Sequence, residues 1–377
     1  MENAKIRIGV IGVGIIGKQH LDNYSRIEGA QVVAVCDINE REARETAEKY
    51  GVPDVYTDYK ELLARDDIDA VDVCLHNNFH APLTIAALQA GKHVYCEKPI
   101  AGSYHDGKWM VDAARESGKM LHIQLGMLYK KETKAAKALI DDGQLGKLFH
   151  ARSSGFRRRG RPFVDGFGTA HFTRKESAGG GALLDMGVYH IAQMLYLLGN
   201  PPLARVTGKL IQEMDMDPQR SAQSGFDVEE LALGFVTFQG GVTLDIFEAW
   251  AVHLGGVEGS SIIGSRGGIR LPAYHSAEQT SEFSYHTTVA DMDLDSRIDL
   301  NRMDTRWHRM RENEDAYDSS QQHWIAALQG RVSLLPTAEI ALSTMLISEG
   351  LYLSDALGRE MTADEIAAGS KSLAIWI

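Results

Sequence analysis

The chain has 377 residues, 44% hydrophobic and 24% charged, an ordinary globular composition too long for one typical core, so two domains are expected. Its 51 acidic and 39 basic residues leave a net charge of −12, which speaks against nucleic acid or an anionic membrane as the main partner. No run approaches the roughly 20 consecutive apolar residues that cross a bilayer, "MENAKIRIGVIG" lacks a signal peptide's apolar core, and Cys36, Cys74 and Cys96 show no Cys-x-x-Cys spacing, so reduced thiols and a cytoplasmic location are expected.

Through the first third, short β-rich runs alternate with helical patterns. The runs are "KIRIGVIG" (5–12), "AQVVAVCD" (30–37), "IDAVDVCL" (68–75), "KHVYCE" (92–97) and "KMLHIQ" (119–124). Between them lie "GKQHLDNYSRIE" (17–28), "NEREARETAEKYG" (39–51), "HAPLTIAALQAG" (80–91) and "DGKWMVDAARESG" (106–118), the last three closed by a glycine. Such alternation predicts a parallel sheet with helices on both faces. After the helical "KKETKAAKALIDDG" (130–143) the runs lengthen into "LARVTGKLIQ" (203–212), "ELALGFVTFQGGVTLDIFEAW" (230–250) and "SSIIGSRGGIRL" (260–271), with Gly240-Gly241 as a hairpin signal. They predict an antiparallel or mixed sheet in a second domain. Residues 273–318 are polar and aperiodic and read as a long surface excursion. Helical patterns return at 319–330 and 336–358. The expected division is 1–126 for a nucleotide-binding domain and 127–377 for a substrate-binding domain.

"GVGIIG" supplies Gly12-x-Gly14-x-x-Gly17 directly after a strand pattern and directly before a helix pattern, the context its mechanism requires. The first glycine permits the tight turn and the second lets a pyrophosphate approach the backbone. The third lets helix and strand pack closely, with the helix N-terminus, at Ile15 and Ile16, facing the phosphates. Asp37, 20 residues past Gly17, ends the second strand run. Its carboxylate suits both adenosine ribose hydroxyls and repels a 2′-phosphate, which favours NAD over NADP. The bland alternative is a ligand-free turn with Asp37 capping a helix that starts near Asn39.

A later strand pattern ends in Glu97-Lys98-Pro99, two charges where a strand leaves a core. With "AGKHVYCEKP" (90–99) placed after the glycine fingerprint, and with "CLHNNFH" (74–80) and "GGGALLDMGVYHI" (179–191), the chain resembles the Gfo/Idh/MocA family over nearly its whole length. This is the glucose–fructose oxidoreductase and inositol dehydrogenase group. The resemblance implies an α/β protein with an N-terminal Rossmann domain and a C-terminal α/β domain. The large, open, mainly antiparallel sheet of the latter would mediate a homodimer or homotetramer. It further implies a nicotinamide-dependent oxidoreductase acting at a secondary hydroxyl of a sugar, glycoside or cyclitol. By position, Lys98 matches the family lysine that contacts the reacting oxygen, and Glu97 matches the residue beside the nicotinamide. Asn77 and His80 match a segment lining the cofactor, although Leu75-His76 replace the family's Thr-Pro and make His76 an unexpected polar group there.

Oxidising a secondary alcohol requires removal of the hydroxyl proton and stabilisation of the developing oxyanion. A lysine ammonium can donate to that oxygen, and desolvation lowers its pKa toward a useful range. The family commonly reads Asp-x-Gly-x-His for the acid/base; here Asp185-Met186-Gly187-Val188-Tyr189-His190 puts tyrosine in the histidine's slot. At roughly 100° per residue, Leu184, Val188, Ile191, Leu195 and Leu198 form one apolar stripe. Asp185 and Tyr189 share the neighbouring face, and His190 points about 140° away from Asp185. Tyr189 is favoured, as in the dihydrodiol dehydrogenase branch, with His190 the alternative because it titrates nearer neutrality.

"FRRRGRPFVDGFG" (156–168) offers Arg157, Arg158, Arg159, Arg161 and Asp165 as substrate donors and acceptors, or equally as a solvated or salt-bridging loop; His171 is a weaker candidate. No histidine spacing matches a zinc hydrolase, so no catalytic metal is expected. Two other functions stay open, an enzyme that retains NAD and cleaves a glycosidic bond by transient oxidation, and a non-catalytic NAD-binding sensor.

Overall fold

The structure, a computed structural model, describes residues 5–166, 168–272 and 283–376. The chain divides into two compact units, the first drawn from Met1–Leu125, Thr305–Glu339 and Ser372–Ile377, the second from Gly126–Asp304 and Ile340–Lys371. The sequence reading assigns all of 127–377 to the second domain. Two late stretches instead return to the first, where Trp324 and Ile325 join a core cluster with Ile8, Val10, Val35 and Tyr95.

In the first unit, strands β1 (Ile6–Ile11), β2 (Ala30–Cys36), β3 (Asp54–Tyr56), β4 (Ala70–Val73), β5 (His93–Cys96) and β6 (Leu121–Ile123) form one sheet. Their order is β3-β2-β1-β4-β5-β6, with every pair parallel. β4 is buried at every position and β5 at all but its first, which is why they read as continuous apolar runs. β3, three residues long, carries no pattern and is missing from the sequence reading. Helices α1 (Ile15–Tyr24), α2 (Glu40–Tyr50), α3 (Tyr59–Leu63), α4 (Asn77–Gln89) and α5 (Tyr104–Ser117) connect the strands. Their limits follow local chemistry, with Asn39 and Ser103 side chains capping α2 and α5 and left-handed Gly51 and Gly118 ending them. Strand order reverses between β1 and β4, and beyond the carboxyl ends of such a pair lies the crevice in which open α/β sheets take ligands.

The second unit holds β7 (Leu148–Phe156), β8 (Leu203–Ile211), β9 (Leu231–Phe238), β10 (Thr243–Ala249), β11 (Ser261–Gly264), β12 (Gly267–Arg270), β13 (Ser284–Val289), β14 (Met292–Arg297) and β15 (Met361–Thr362). They form a nine-stranded sheet in the order β14-β13-β12-β11-β7-β10-β9-β8-β15, antiparallel except for the β7–β10 pair. Gly240-Gly241 does turn β9 into β10. The predicted surface excursion is corrected. Residues 273–282 lie outside the described ones, but 284–297 form the β13–β14 hairpin and helical turns follow from Leu300. No pattern announced this because β14 is exposed at all six positions, so nothing alternates. The helix Thr337–Leu357 is long and apolar enough by length and composition to span a membrane, yet half of its apolar window is buried in the protein, as in a core helix. Gly208 and Gly234 admit its Leu351 against the sheet, where a Cβ would stand 2.1 and 2.4 Å from Leu351 Cδ2.

Candidate active site

β1 delivers Gly12 to its turn at φ 94°, a region that glycine enters without steric cost. A Cβ on Gly17 would lie 2.0 Å from the Gly12 carbonyl oxygen, so α1 crosses β1 at a distance that excludes any side chain. Gly14 is the N-cap of α1 and has no neighbour within 4 Å of its Cβ position. No side chain caps the helix there, and Ile15 and Ile16 are exposed. The first N–H groups of α1, at the positive end of the helix dipole, therefore have the setting that receives a phosphate. Asp37, just past β2, accepts from Val13 N–H at 3.0 Å and from Asn39 N–H at 2.9 Å, which fixes its carboxylate at the rim of the turn. The cap of α2 is Asn39, not Asp37. These residues fit a dinucleotide: open backbone for a pyrophosphate, helix N–H groups, and a carboxylate for ribose hydroxyls.

Glu97 and Lys98 follow β5. The sequence reading puts Glu97 beside the nicotinamide, but the structure turns it inward. Its Oε1 accepts from His20 Nε2 at 2.9 Å, and its Oε2 accepts the Lys98 N–H at 3.1 Å. On the other side of the imidazole, His20 Nδ1 lies 2.9 Å from Asp72 Oδ2. His80 departs from expectation in the same way. It is wholly buried, its ring nitrogens 2.8 Å from the Pro99 carbonyl and 3.0 Å from the Leu75 carbonyl, so it fastens the Glu-Lys-Pro segment to the approach of α4. Burial holds its pKa below the ordinary histidine value. Lys98 and Asn77 are half-buried, and His76, the N-cap of α4, is exposed.

In the second unit the glycines 179–181 lead into a π-helical turn, Leu183–Gly187, and then the helix Val188–Leu198. Buried Glu229 fixes this entry by accepting from the N–H groups of Gly181 and Leu183 and from the Tyr352 hydroxyl at 2.9–3.0 Å. Burial raises its pKa despite those bonds. Asp185 accepts from Trp250 Nε1 at 2.9 Å and lies 3.8 Å from an Arg157 guanidinium nitrogen. The π turn breaks the uniform angular count, and the helix is buried almost all round rather than along one stripe, with Leu198 only half-buried. Asp185 and Tyr189 are nevertheless both half-buried, whereas His190 is buried. Its Nδ1 is 2.9 Å from Glu248 Oε2, and Glu248 Oε1 accepts from Ser153 Oγ at 2.9 Å.

Sequence reasoning missed His20 and Glu248, though both left a signal. Glu248 shares the inward face of β10 with Leu244 and Ile246 at period 2. His20 lies with Gly17, Leu21 and Tyr24 on the buried stripe of α1.

The arginine loop divides. Arg161 and Asp165 side chains are only 3% and 4% exposed, and Arg161 donates to Asp165, to Glu230 and to the Met214 and Asp215 carbonyls. They lock the loop internally, which corrects their assignment as substrate donors and acceptors. Arg157 reaches toward Asp185. Arg158, Arg159 and His171 are exposed. Among the described residues, His20, Asp72 and Cys74, and separately His308, Glu312 and Asp318, gather ligand-type atoms within 4.8 Å. The first set is already mutually hydrogen-bonded and the second is part-exposed, so neither is read as a metal centre.

Residues 6–125 match the family described as "Oxidoreductase family, NAD-binding Rossmann fold", and residues 133–270 match the "GFO/IDH/MocA C-terminal domain". The chain belongs to the Gfo/Idh/MocA family. This Gfo/Idh/MocA protein is therefore an NAD-binding oxidoreductase, as its glycine cradle and Lys98 motif led one to expect. The D-glucoside 3-dehydrogenase of Escherichia coli K12 is 32% identical to it over 261 residues, 67% of this chain and 73% of that protein. The myo-inositol 2-dehydrogenase of Thermotoga maritima is 33% identical over 194 residues, 52% of this chain and 55% of its own, so that match spans about half of each. Levoglucosan dehydrogenase in complex with NADH and levoglucosan superposes with a TM-score of 0.73 at 20% identity, covering 95% of this chain and 99% of that one. An NAD-binding oxidoreductase from Klebsiella pneumoniae gives 0.78 at 21% identity, covering 96% and 99%. These two likenesses establish the fold.

Proposed function

We propose that this Gfo/Idh/MocA oxidoreductase is an NAD-dependent dehydrogenase acting on a secondary hydroxyl of a sugar, glycoside or cyclitol. The observation that carries the reading is the open Gly14 cradle with Asp37 fixed at its rim, in a chain whose relatives are named for a glucoside and for inositol. NAD, when bound, supplies the hydride acceptor. Lys98 donates to the reacting oxygen and takes up the charge that develops there. Tyr189 exchanges the hydroxyl proton; its support is its half-buried position, four residues from an Asp185 that Trp250 and Arg157 hold in place. His190, the alternative, is buried with its Nδ1 engaged by Glu248.

The test is NADH formation at 340 nm with a panel of glycosides, free sugars and cyclitols, run in parallel with NADP. Turnover on at least one secondary alcohol with NAD well ahead of NADP is expected. NADH binding without turnover on any member, or aglycone release without net NADH, overturns the reading. We also infer a homodimer or homotetramer built through the nine-stranded sheet, whose edge strand β14 exposes Met292 and Leu294, and sedimentation velocity decides it. A cytoplasmic location suits three buried free cysteines and is checked by cell fractionation.

A further inference from the structure

His20 sits on α1, the helix that opens at the Gly14 cradle, and both of its ring nitrogens face carboxylate oxygens. Nδ1 is 2.9 Å from Asp72 Oδ2, and Nε2 is 2.9 Å from Glu97 Oε1. Ionised carboxylates only accept, so each ring nitrogen must carry a proton for both contacts to be hydrogen bonds. The other carboxylate oxygens are also engaged. The Cys74 thiol donates to Asp72 Oδ1 at 3.3 Å, and the Lys98 N–H donates to Glu97 Oε2 at 3.1 Å. The side chains of His20, Asp72 and Glu97 are 4%, 0% and 10% exposed.

We propose that His20 is a positioning residue: as an imidazolium clamped between Asp72 and Glu97, it ties the nucleotide-binding helix to the backbone of Lys98. The proposal rests on the reading of Lys98 as the group at the reacting oxygen. The titratable side chains against the imidazole are Asp72 from β4, Cys74 just beyond it, Tyr95 edge-on from β5 with ring centroids 5.5 Å apart, and Glu97, while Tyr24, four residues along α1, is buried in the same core. Burial raises both tyrosines and the Cys74 thiol, leaving them uncharged, so the two carboxylates alone oppose the imidazolium. Burial also pulls the imidazole toward neutrality, the charge and hydrogen bond of Asp72 oppose it, and the pKa lies well above the ordinary histidine value. Burial pushes the Glu97 carboxyl up, and the bond and charge of His20, with the charge of Lys98, bring it below the usual range. Charges alternate along Asp72, His20, Glu97 and Lys98, and they cancel. Without the imidazolium, two buried carboxylates face each other across its place, and Glu97 must take a proton or swing away, carrying Lys98 with it.

The experiment uses the full chain with 13C-labelled histidine and lysine. In wild-type protein, the His20 signal should remain that of an imidazolium from pH 6 to pH 8.5, and in Asp72→Asn its titration should move down into that window. In His20→Gln, the Lys98 side-chain signal, assigned with Lys98→Met, should shift, kcat should fall at least tenfold, and the NADH dissociation constant should change less than threefold. A His20 that is neutral at pH 7.5, or a folded His20→Gln with an unmoved Lys98 signal, overturns the proposal. Should His20→Gln fail to fold, Asp72→Asn alone decides, since an unchanged His20 titration there removes the clamp. The spectroscopic arms need no substrate, so a wild type inactive on every sugar sinks the functional reading and leaves this one to its own result.

Discussion

Acidification should weaken the first unit through His323 in a way that can be isolated. The imidazole accepts the Leu335 N–H on Nε2 at 2.9 Å and faces the Ala316 carbonyl with Nδ1 at 3.1 Å, a pairing that only the neutral, Nδ1-protonated ring satisfies. Burial lowers its pKa to about 4, against about 6.5 in an unfolded chain. For a base whose folded pKa is depressed, the stabilising contribution is complete above the unfolded value and is lost as pH falls from there toward the folded one. Between those two values the loss amounts to about 2.5 kcal/mol by pH 4.5. In His323→Gln, a side-chain oxygen and N–H can serve the same two partners without titrating. Urea unfolding followed by tryptophan fluorescence, with buried Trp324 adjacent in sequence, measures both proteins from pH 7.5 to 4.5. The wild-type curve should fall away from the variant's by about that amount. Parallel curves, differing by less than about 0.5 kcal/mol throughout, refute the argument.

Three other outcomes are expected. Lys98→Ala should lower turnover by about two to four orders of magnitude with NADH affinity nearly intact, measured by steady-state rates and fluorescence titration; full activity would remove Lys98 from the chemistry. Tyr189→Phe should lose turnover at an unchanged melting temperature, whereas His190→Ala should cost about 2 kcal/mol in denaturant unfolding because the buried Oε2 of Glu248 loses its partner while Ser153 stays on Oε1. The glycines should separate as well. Gly14→Ala, with open space around its Cβ, should fold normally and bind NADH more weakly, while Gly17→Ala, 2.0 Å from the Gly12 oxygen, should lower the melting temperature itself.

What could be read from the sequence was local. The alternation of runs and helices predicted the parallel sheet, and the glycine spacing with Asp37 at the end of the second run located the cradle. Lys98 stood out because opposite charges rarely end a buried strand. The misreadings of individual side chains share one cause, partners supplied from afar. Glu97 and His20 are 77 positions apart, and His190 and Glu248 are 58 apart, so no window around either member reveals the pair. Arg161 looks like a solvent-facing donor until Glu230 and the 214–215 carbonyls are brought to it. A uniform turn count over 184–198 fails at its start, where Leu183–Gly187 is a π turn, and Gly187 with the glycines 179–181 is its mark in the sequence. The β14 edge strand was invisible because it buries nothing.

The return of residues 305–339 to the first unit bears on how the molecule is made. Trp324 and Ile325 complete the wall against which Ile8, Val10 and Val35 pack, and Gln321 donates to the His20 backbone carbonyl while its amide oxygen accepts from Asn23 on α1. The nucleotide-binding half is translated first but lacks that wall until nearly two hundred intervening residues have left the ribosome. Its sheet must wait, partly uncovered, for the chain to come back, so a fragment ending at residue 125 should behave as an aggregation-prone intermediate and not as a transplantable cassette.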